Sequence, residues 1–213
     1  MFAVPVVLRG LYVIVDPNVA GGRDIVKIAR DAVAGGARAI QWRDKTREKG
    51  LQLPDVEGIA AVCRGARVPL IINDDADLAL AVGAAGVHVG QKDLPVLVVR
   101  RLVPFGWIVG ASANNVDEAR RAEIDGADYV SVGNLFGTSS KEDARPATLE
   151  TLREVKAAVR VPVCAIGGIN ETNVDSVIAA GADMAAVISA VVAARNPRTA
   201  SQRLAKRFAQ SGR

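Results

Sequence analysis

A single (β/α)8 barrel, the TIM barrel of the α/β class, is the fold that this sequence predicts, on three observations. Eight short apolar runs recur along the chain, stretches with helical spacing separate them, and no Pro/Gly/Ser-rich linker or block of charge interrupts the middle. The runs are LYVIVD (11–16), AIQWRD (39–44), PLIIND (69–74), GVHVG (86–90), WIVGAS (107–112), YVSVGN (129–134), PVCAIG (162–167) and MAAVIS (184–189). Near-continuous apolarity, rather than alternation, is what strands covered on both faces of a parallel sheet require.

The connecting segments read as helices. Several close on a small-residue phrase before the next run, as in GGARAI, GAAGVHV, GADYVSV and GADMAAV, where glycine suits the residue just past a helix end. Two starts are signalled by a capping oxygen three residues ahead of an acid: Asn115 before Glu118, and Thr172 before Asp175. The last stretch places Leu204 and Phe208 one turn apart, predicting a terminal helix that buries them and keeps its basic side in water. A doubly wound sheet is the alternative architecture. It is the weaker one, because neither GxGxxG nor GxxxxGK[ST] follows any run.

Composition agrees with one globular domain spanning residues 1–213. A chain of 22.3 kDa removes about 70% of its surface on folding, enough for a sizeable core. Half the residues are apolar and 23% are charged, which excludes a disordered or collagen-like chain. No apolar run approaches the ~18 residues of a membrane span, and the opening residues lack the pattern of a secretory leader, so the expected location is cytoplasmic. Cys63 and Cys164 sit among apolar neighbours and are expected to stay reduced. The lone histidine, His88, excludes a site needing two histidine ligands. The net charge of +4 divides into +6 on residues 195–213 and −2 on the rest, so no distributed basic face argues for nucleic acid.

Barrels of this kind carry their chemistry at the carboxyl ends of the strands, so the residues ending each run are the first candidates. They are Gln41, Arg43, Asp44 and Lys45; Asn73 and Asp74; His88, Gln91 and Asp93; Ser112; Thr138, Ser139, Ser140 and Lys141; Gly167 and Gly168; and Ile188 with Ser189. Arg43, Lys45 and Lys141 among hydroxyls suit an anionic, oxygen-rich ligand such as a diphosphate. Asp74 and Asp93, from adjacent strands, suit one Mg2+, which takes one or two carboxylates plus phosphate oxygens and water. Asp74 also fits as a helix N-cap, while Asp75 and Asp77 read as capping and first-turn residues. Gly167-Gly168 and Ile188-Ser189 fall where barrels bind a phosphate with backbone amides, and the glycines equally fit a tight turn at positive φ. His88 fits a hydrogen-bonded strand position or a pocket, and Trp42 and Trp107 read as packing ahead of ligand stacking.

Taken together, QWRDK (41–45), IINDDADLALAVGAAGVHVGQKDLP (71–95), VGAS (109–112), GADYVSVGNLFGTSSKED (126–143), VCAIGGINETNV (163–174) and GADMAAVISA (181–190) resemble the thiamine phosphate synthase family. The resemblance implies a TIM barrel that joins a pyrimidinylmethyl diphosphate to a thiazole phosphate and releases diphosphate with Mg2+ present. It implies Gln41, Arg43, Lys45, Asn73 and Lys141 on the pyrimidine diphosphate, Asp74 and Asp93 on the metal, and Ser112 at the pyrimidine. It further implies Thr138, Ser140, Gly168, Ile188 and Ser189 around the thiazole phosphate and His88 in the pocket, with Arg43, Lys45, Lys141 and Ser112 carrying the catalysis. The diphosphate would leave first, and the thiazole nitrogen would capture the resulting cation. Such chemistry asks for charge and shape rather than a protein nucleophile. The alternative is a paralogue on the same barrel, a thiazole tautomerase or a regulator; a tautomerase would have no diphosphate to hold. This sequence departs from the family pattern at Trp42, at Asn134 and Gly137 where prolines are usual, at Ser140, and at Met184 where glycine is usual.

Overall fold

The computed structural model describes residues 8–137 and 145–211. Its strands are β1 (Gly10–Val15), β2 (Ala39–Trp42), β3 (Leu70–Asn73), β4 (Gly86–Val89), β5 (Ile108–Ala113), β6 (Tyr129–Val132), β7 (Val163–Ile166) and β8 (Met184–Val187). All eight pair in parallel in sequence order, and β8 returns to β1 to close the barrel. The helices are α1 (Pro17–Ala20), α2 (Ile25–Ala34), α3 (Lys49–Ala66), α4 (Ala76–Val82), α5 (Val96–Leu102), α6 (Val116–Ile124), α7 (Leu149–Ala158), α8 (Val174–Ala179), α9 (Ser189–Val192) and α10 (Pro197–Gln210). Each run expected from the sequence is therefore a strand, and the doubly wound alternative is excluded by closure.

Alternate residues of each strand separate into two cores. Val13, Ile40, Ile72, Val87, Val109, Val130 and Val187 pack with helix residues such as Ile59, Leu152 and Leu204 in the layer between sheet and helices. Tyr12, Ile14, Ala39, Ile71, Ile108, Tyr129, Cys164, Met184 and Ala186 form a second cluster drawn from the strands, which fills the barrel itself. This parity matters for the site, because it turns Gln41, Asn73, His88 and Ser112 inward as well.

A repeated device sets the strands in register. Gly-Ala-X occurs at 36–38, 83–85, 126–128 and 181–183, just before β2, β4, β6 and β8, and each glycine has positive φ (97°, 61°, 97° and 101°). The following alanine N–H bonds back into the preceding helix, to Ala32, Ala79, Ala122 and Val177 carbonyls. The N–H of the third residue then bonds to the preceding strand, at Leu11, Leu70, Val109 and Val163. Where that third residue is aspartate, its carboxylate also accepts from the strand, Asp128 from Val109 N and Asp183 from Val163 N, each at 2.7 Å. Glycine is needed here because a left-handed turn must reverse the chain in one residue.

Helix starts were half legible. Asn115 caps α6, its side chain accepting from Glu118 N at 2.8 Å. Thr172 does not cap α8: the N-cap position is Asn173, and Thr172 donates instead to Asn170 Oδ1 at 2.7 Å within a polar turn. The terminal helix buries Leu204 and Phe208 as expected, but its basic side is not left wholly to water, since Arg207 pairs with Asp175 at 3.0 Å and Arg203 with Glu171 at 3.5 Å. Both cysteines are free and buried, and burial pushes each thiol up to about 12.

Candidate functional site

Residues at and just past the carboxyl ends of β1 to β5, with two tyrosines deeper in the barrel, form two groups. The first is charged. Arg43, just past β2, donates from Nη1 to Asp16 Oδ2 at 2.5 Å, and Asp16 is itself buried, accepting from Asn18 N at the start of α1. One step around the barrel, Lys45 pairs with Asp74, whose Oδ2 also accepts from Asn73 Nδ2 at 2.7 Å. Burial and the carboxyl group of Asp93 push Asp74 up to about 6, against the pull of Lys45 in the other direction. Asp93 in turn accepts from Gly90 N at 2.7 Å, which folds the loop after β4 over this corner.

Asp74 is not the helix cap that the sequence left open. It sits at φ +63° with its carboxylate turned to Lys45, Asn73 and Asp93, while the N-cap position of α4 is Asp75. Asp75 makes no side-chain cap either: Lys49 takes it at 2.7 Å. Asp77, in the first turn, is held by the same Lys49, which together with the N–H of Leu78 keeps its carboxyl below the usual range.

The second group is a buried polar chain. Gln41 Nε2 donates to Tyr12 Oη at 2.8 Å, Tyr12 Oη lies 3.0 Å from Tyr129 Oη, Tyr129 Oη lies 3.0 Å from His88 Nδ1, and His88 Nε2 lies 3.0 Å from Ser112 Oγ. It crosses the barrel from β2 through β1, β6 and β4 to β5. His88 is thus the hydrogen-bonded strand residue that one of its two readings expects. Gln91, beyond β4, donates to the Ser112 carbonyl oxygen at 2.6 Å and closes the rim.

Across the barrel, Gly167 and Gly168 have φ +100° and +67°. The turn reading is realised directly: Phe136 N donates to the Gly167 carbonyl oxygen, and a Cβ on Gly168 would fall 2.4 Å from the Gly137 carbonyl oxygen. Ile188 packs on the barrel-filling cluster and precedes Ser189, the first residue of α9. Thr138, Ser139, Ser140 and Lys141 lie outside the described residues. Trp42 packs outward, donating to Gln52 Oε1 at 2.8 Å beneath the Arg47 guanidinium.

Three contributors escaped the sequence reading. Asp16 carried a usable signal, since it ends its apolar run as Asp44 and Asp74 do. Tyr12 and Tyr129 carried little, because inside apolar runs a phenol reads as packing until its partner across the barrel is known.

A closed parallel barrel with paired cations and carboxylates clustered at neighbouring strand ends, over a buried polar chain, has the architecture of a TIM-barrel enzyme. A family model described as thiamine monophosphate synthase matches residues 11–191. The chain is 48% identical over 195 residues to the thiamine-phosphate synthase of Moorella thermoacetica, covering 91% of this chain and 93% of that one. It is 51% identical over 183 residues to the thiamine-phosphate synthase of Methanoregula boonei, covering 85% of each. Among solved structures, thiamine phosphate pyrophosphorylase from Pyrococcus furiosus superimposes with a TM-score of 0.88 at 38% identity, covering 95% and 96% of the two chains. The chain belongs to the thiamine monophosphate synthase family. It is a transferase of thiamine biosynthesis.

Within that family, the departure at Met184 falls at the opposite end of the barrel from Arg43, Lys45 and Asp74. Met184 is the first residue of β8, paired with Gly10 and Cys164, and fills the amino-terminal end of the barrel.

Proposed function

We propose that this chain, as one barrel domain, joins 4-amino-2-methyl-5-pyrimidinylmethyl diphosphate to 4-methyl-5-(2-phosphoethyl)thiazole by a dissociative substitution assisted by Mg2+. The carbon–oxygen bond to diphosphate breaks first, the diphosphate keeping the electron pair. The thiazole nitrogen then gives its lone pair to the methylene carbon, forming thiamine phosphate. Arg43 and Lys45, with Lys141 from the loop after β6, take up the charge that grows on the leaving diphosphate. Gln41 and Asn73 orient that half of the substrate, Ser112 and His88 meet the pyrimidine, and Thr138, Ser140, Gly168, Ile188 and Ser189 receive the thiazole phosphate.

The observation that carries this reading is the Asp74–Asp93 pair beside Lys45. Burial first, and the hydrogen-bonded carboxyl group of Asp93 second, push Asp74 up to about 6, and a cation beside the two carboxylates would offset the repulsion between them. Oxygen donors of this kind fit Mg2+, and Asp74 and Asp93 would hold it. An ion held by two carboxylates would be completed by diphosphate oxygens and water. When bound, Mg2+ supplies charge that stabilises the departing diphosphate.

The reading is of a cytoplasmic enzyme whose partners are small molecules, without nucleic acid or membrane. No helix among the described residues is long and apolar enough to cross a bilayer. An assay with both substrates tests the reading: thiamine phosphate and diphosphate should appear in equal amounts, and only with Mg2+. Full turnover in EDTA would remove the metal from the scheme, and no product with Mg2+ present would remove the scheme.

A further inference from the structure

We propose that the chain from Gln41 through Tyr12, Tyr129 and His88 to Ser112 is a one-directional hydrogen-bond relay, in which Tyr12 and Tyr129 are positioning residues. They hold the His88 hydrogen on Nε2 and thereby make the Ser112 hydroxyl a donor toward a ring-nitrogen acceptor in the pyrimidine. The inference rests on the reading that puts the pyrimidine at Ser112.

The direction follows from counting hydrogens. The Gln41 amide nitrogen donates to Tyr12 Oη at 2.8 Å. The Tyr12 hydroxyl has one hydrogen, and its other partner in the chain is Tyr129 Oη at 3.0 Å, so the hydrogen goes there. The Tyr129 hydrogen then goes to His88 Nδ1, also 3.0 Å away. A ring nitrogen that accepts carries no hydrogen, so the neutral imidazole keeps its own on Nε2 and donates to Ser112 Oγ at 3.0 Å. Ser112 accepts, and its hydroxyl hydrogen is left to point at the ligand. The reverse direction would make Tyr12 accept from both Gln41 and Tyr129 and leave its hydrogen no place in the chain.

The relay is built, not incidental. Tyr129, Tyr12 and Gln41 are 1%, 2% and 3% exposed, so water does not compete for these bonds. Burial, above all, raises both phenols and keeps them protonated as donors. Tyr129 stacks on His88 with ring centroids 5.5 Å apart and 26° between planes, and meets Tyr12 edge-on at 6.0 Å. Its hydroxyl end occupies space that only glycine at position 110 leaves open, since a Cβ there would lie 2.1 Å from Tyr129 Cζ and 2.4 Å from its Oη. The consequence for specificity is a sign. With the relay running this way Ser112 attracts an acceptor nitrogen; run backwards it would present lone pairs and repel one.

His88 is the only histidine, so a long-range 1H–15N spectrum of the ligand-free protein contains one imidazole. The expected spectrum is that of the Nε2–H tautomer. Tyr129→Phe keeps the ring and its stacking but removes the hydroxyl. It should shift the imidazole toward the Nδ1–H form and lower kcat/KM for the pyrimidine diphosphate about tenfold, the scale of one neutral hydrogen bond. Affinity for the thiazole phosphate should hold. Tyr12→Phe, one step further away, should move the spectrum in the same direction, which keeps the test open if Tyr129→Phe folds poorly. An Nδ1–H tautomer or an imidazolium in the wild type would overturn the relay. A tautomer unmoved by both variants would do so too, and a moved tautomer with unchanged kcat/KM would overturn the positioning role. Failure of the underlying reading looks different: the wild type would make no thiamine phosphate while keeping the Nε2–H spectrum, and Ser112 would lose its proposed acceptor with it.

Discussion

Asp16 and Arg43 meet at 2.5 Å across the ends of β1 and β2, with their side chains 3% and 15% exposed. The carboxylate fixes one edge of the guanidinium, and also caps α1 through Asn18 N. A side chain with four single bonds is thereby held before any ligand arrives, which reduces the ordering cost of binding.

Arg43→Lys should therefore not be silent. Lysine brings a point charge without the planar fork, so binding of the pyrimidine diphosphate should weaken by about 1–3 kcal/mol by calorimetry. Asp16→Ala should weaken it in the same direction while costing roughly 2–4 kcal/mol of stability, because it strands a partly buried cation and removes a cap. Unchanged affinity in both variants would place Arg43 outside the diphosphate site.

Asp74→Asn separates stability from activity. Because burial and Asp93 raise the Asp74 carboxyl from 3.8 to about 6, the folded chain binds more protons than the unfolded one between those values. Stability from this group is therefore present at low pH and lost as pH rises through that window. Asparagine does not titrate, and it tolerates the φ of +63° better than most residues. The variant, without ligand or metal, should match wild type near pH 4 and exceed it above pH 6, by on the order of 1–3 kcal/mol. Turnover with Mg2+ should fall steeply. Denaturant melts at the two pH values check the first claim; a gain larger at low pH would contradict the assignment.

These residues also show what a sequence can and cannot carry. Each strand was legible because burial on both faces leaves a local signature, and each Gly-Ala-X phrase because positive φ selects glycine. Lys45, Asn73, Asp74 and Asp93 were legible as a group because strand ends in a barrel converge by construction. The Tyr12–Tyr129 contact joins residues 117 positions apart, and no local pattern encodes it. Thr172 departs from the expected cap because a capping oxygen and an acid at the right spacing also fit a polar turn, and Asn170 outcompetes the helix for the threonine hydroxyl.

Met184→Ala tests whether the departure at the start of β8 belongs to packing. Met184 is 2% exposed among Cys164, Tyr12 and Ala186, and its neighbour in register on β1 is Gly10, which offers no side chain to close a gap. Truncation should cost roughly 2–5 kcal/mol of stability. At a temperature where the variant is folded, kcat/KM for both substrates should stay within about twofold of wild type, as expected for a change beneath the pocket. A large kinetic effect with little loss of stability would tie this residue to the chemistry instead.

Gly137→Pro tests the segment that leads into Thr138, Ser140 and Lys141. The family pattern has a stiff residue here, and proline would stabilise a loop whose backbone already lay near φ −65°. Gly137 instead has φ +76°, which proline cannot adopt, and its carbonyl oxygen lies where a Cβ on Gly168 would come within 2.4 Å. The two glycines are thus fitted to each other, one turning the chain and the other leaving room for it. Gly137→Pro should impair binding of the thiazole phosphate rather than tighten it. Gly168→Ala should do the same, since the added methyl meets backbone atoms and φ there is +67°. Gly137→Ala is the control: nothing lies within 4 Å of its Cβ, so it should cost only the strain of a positive φ, about 1 kcal/mol. Affinities measured for each substrate separately decide the matter. Tighter thiazole binding in Gly137→Pro would mean that the bound segment abandons the observed turn, and equal affinities in all three variants would remove the loop after β6 from the thiazole site.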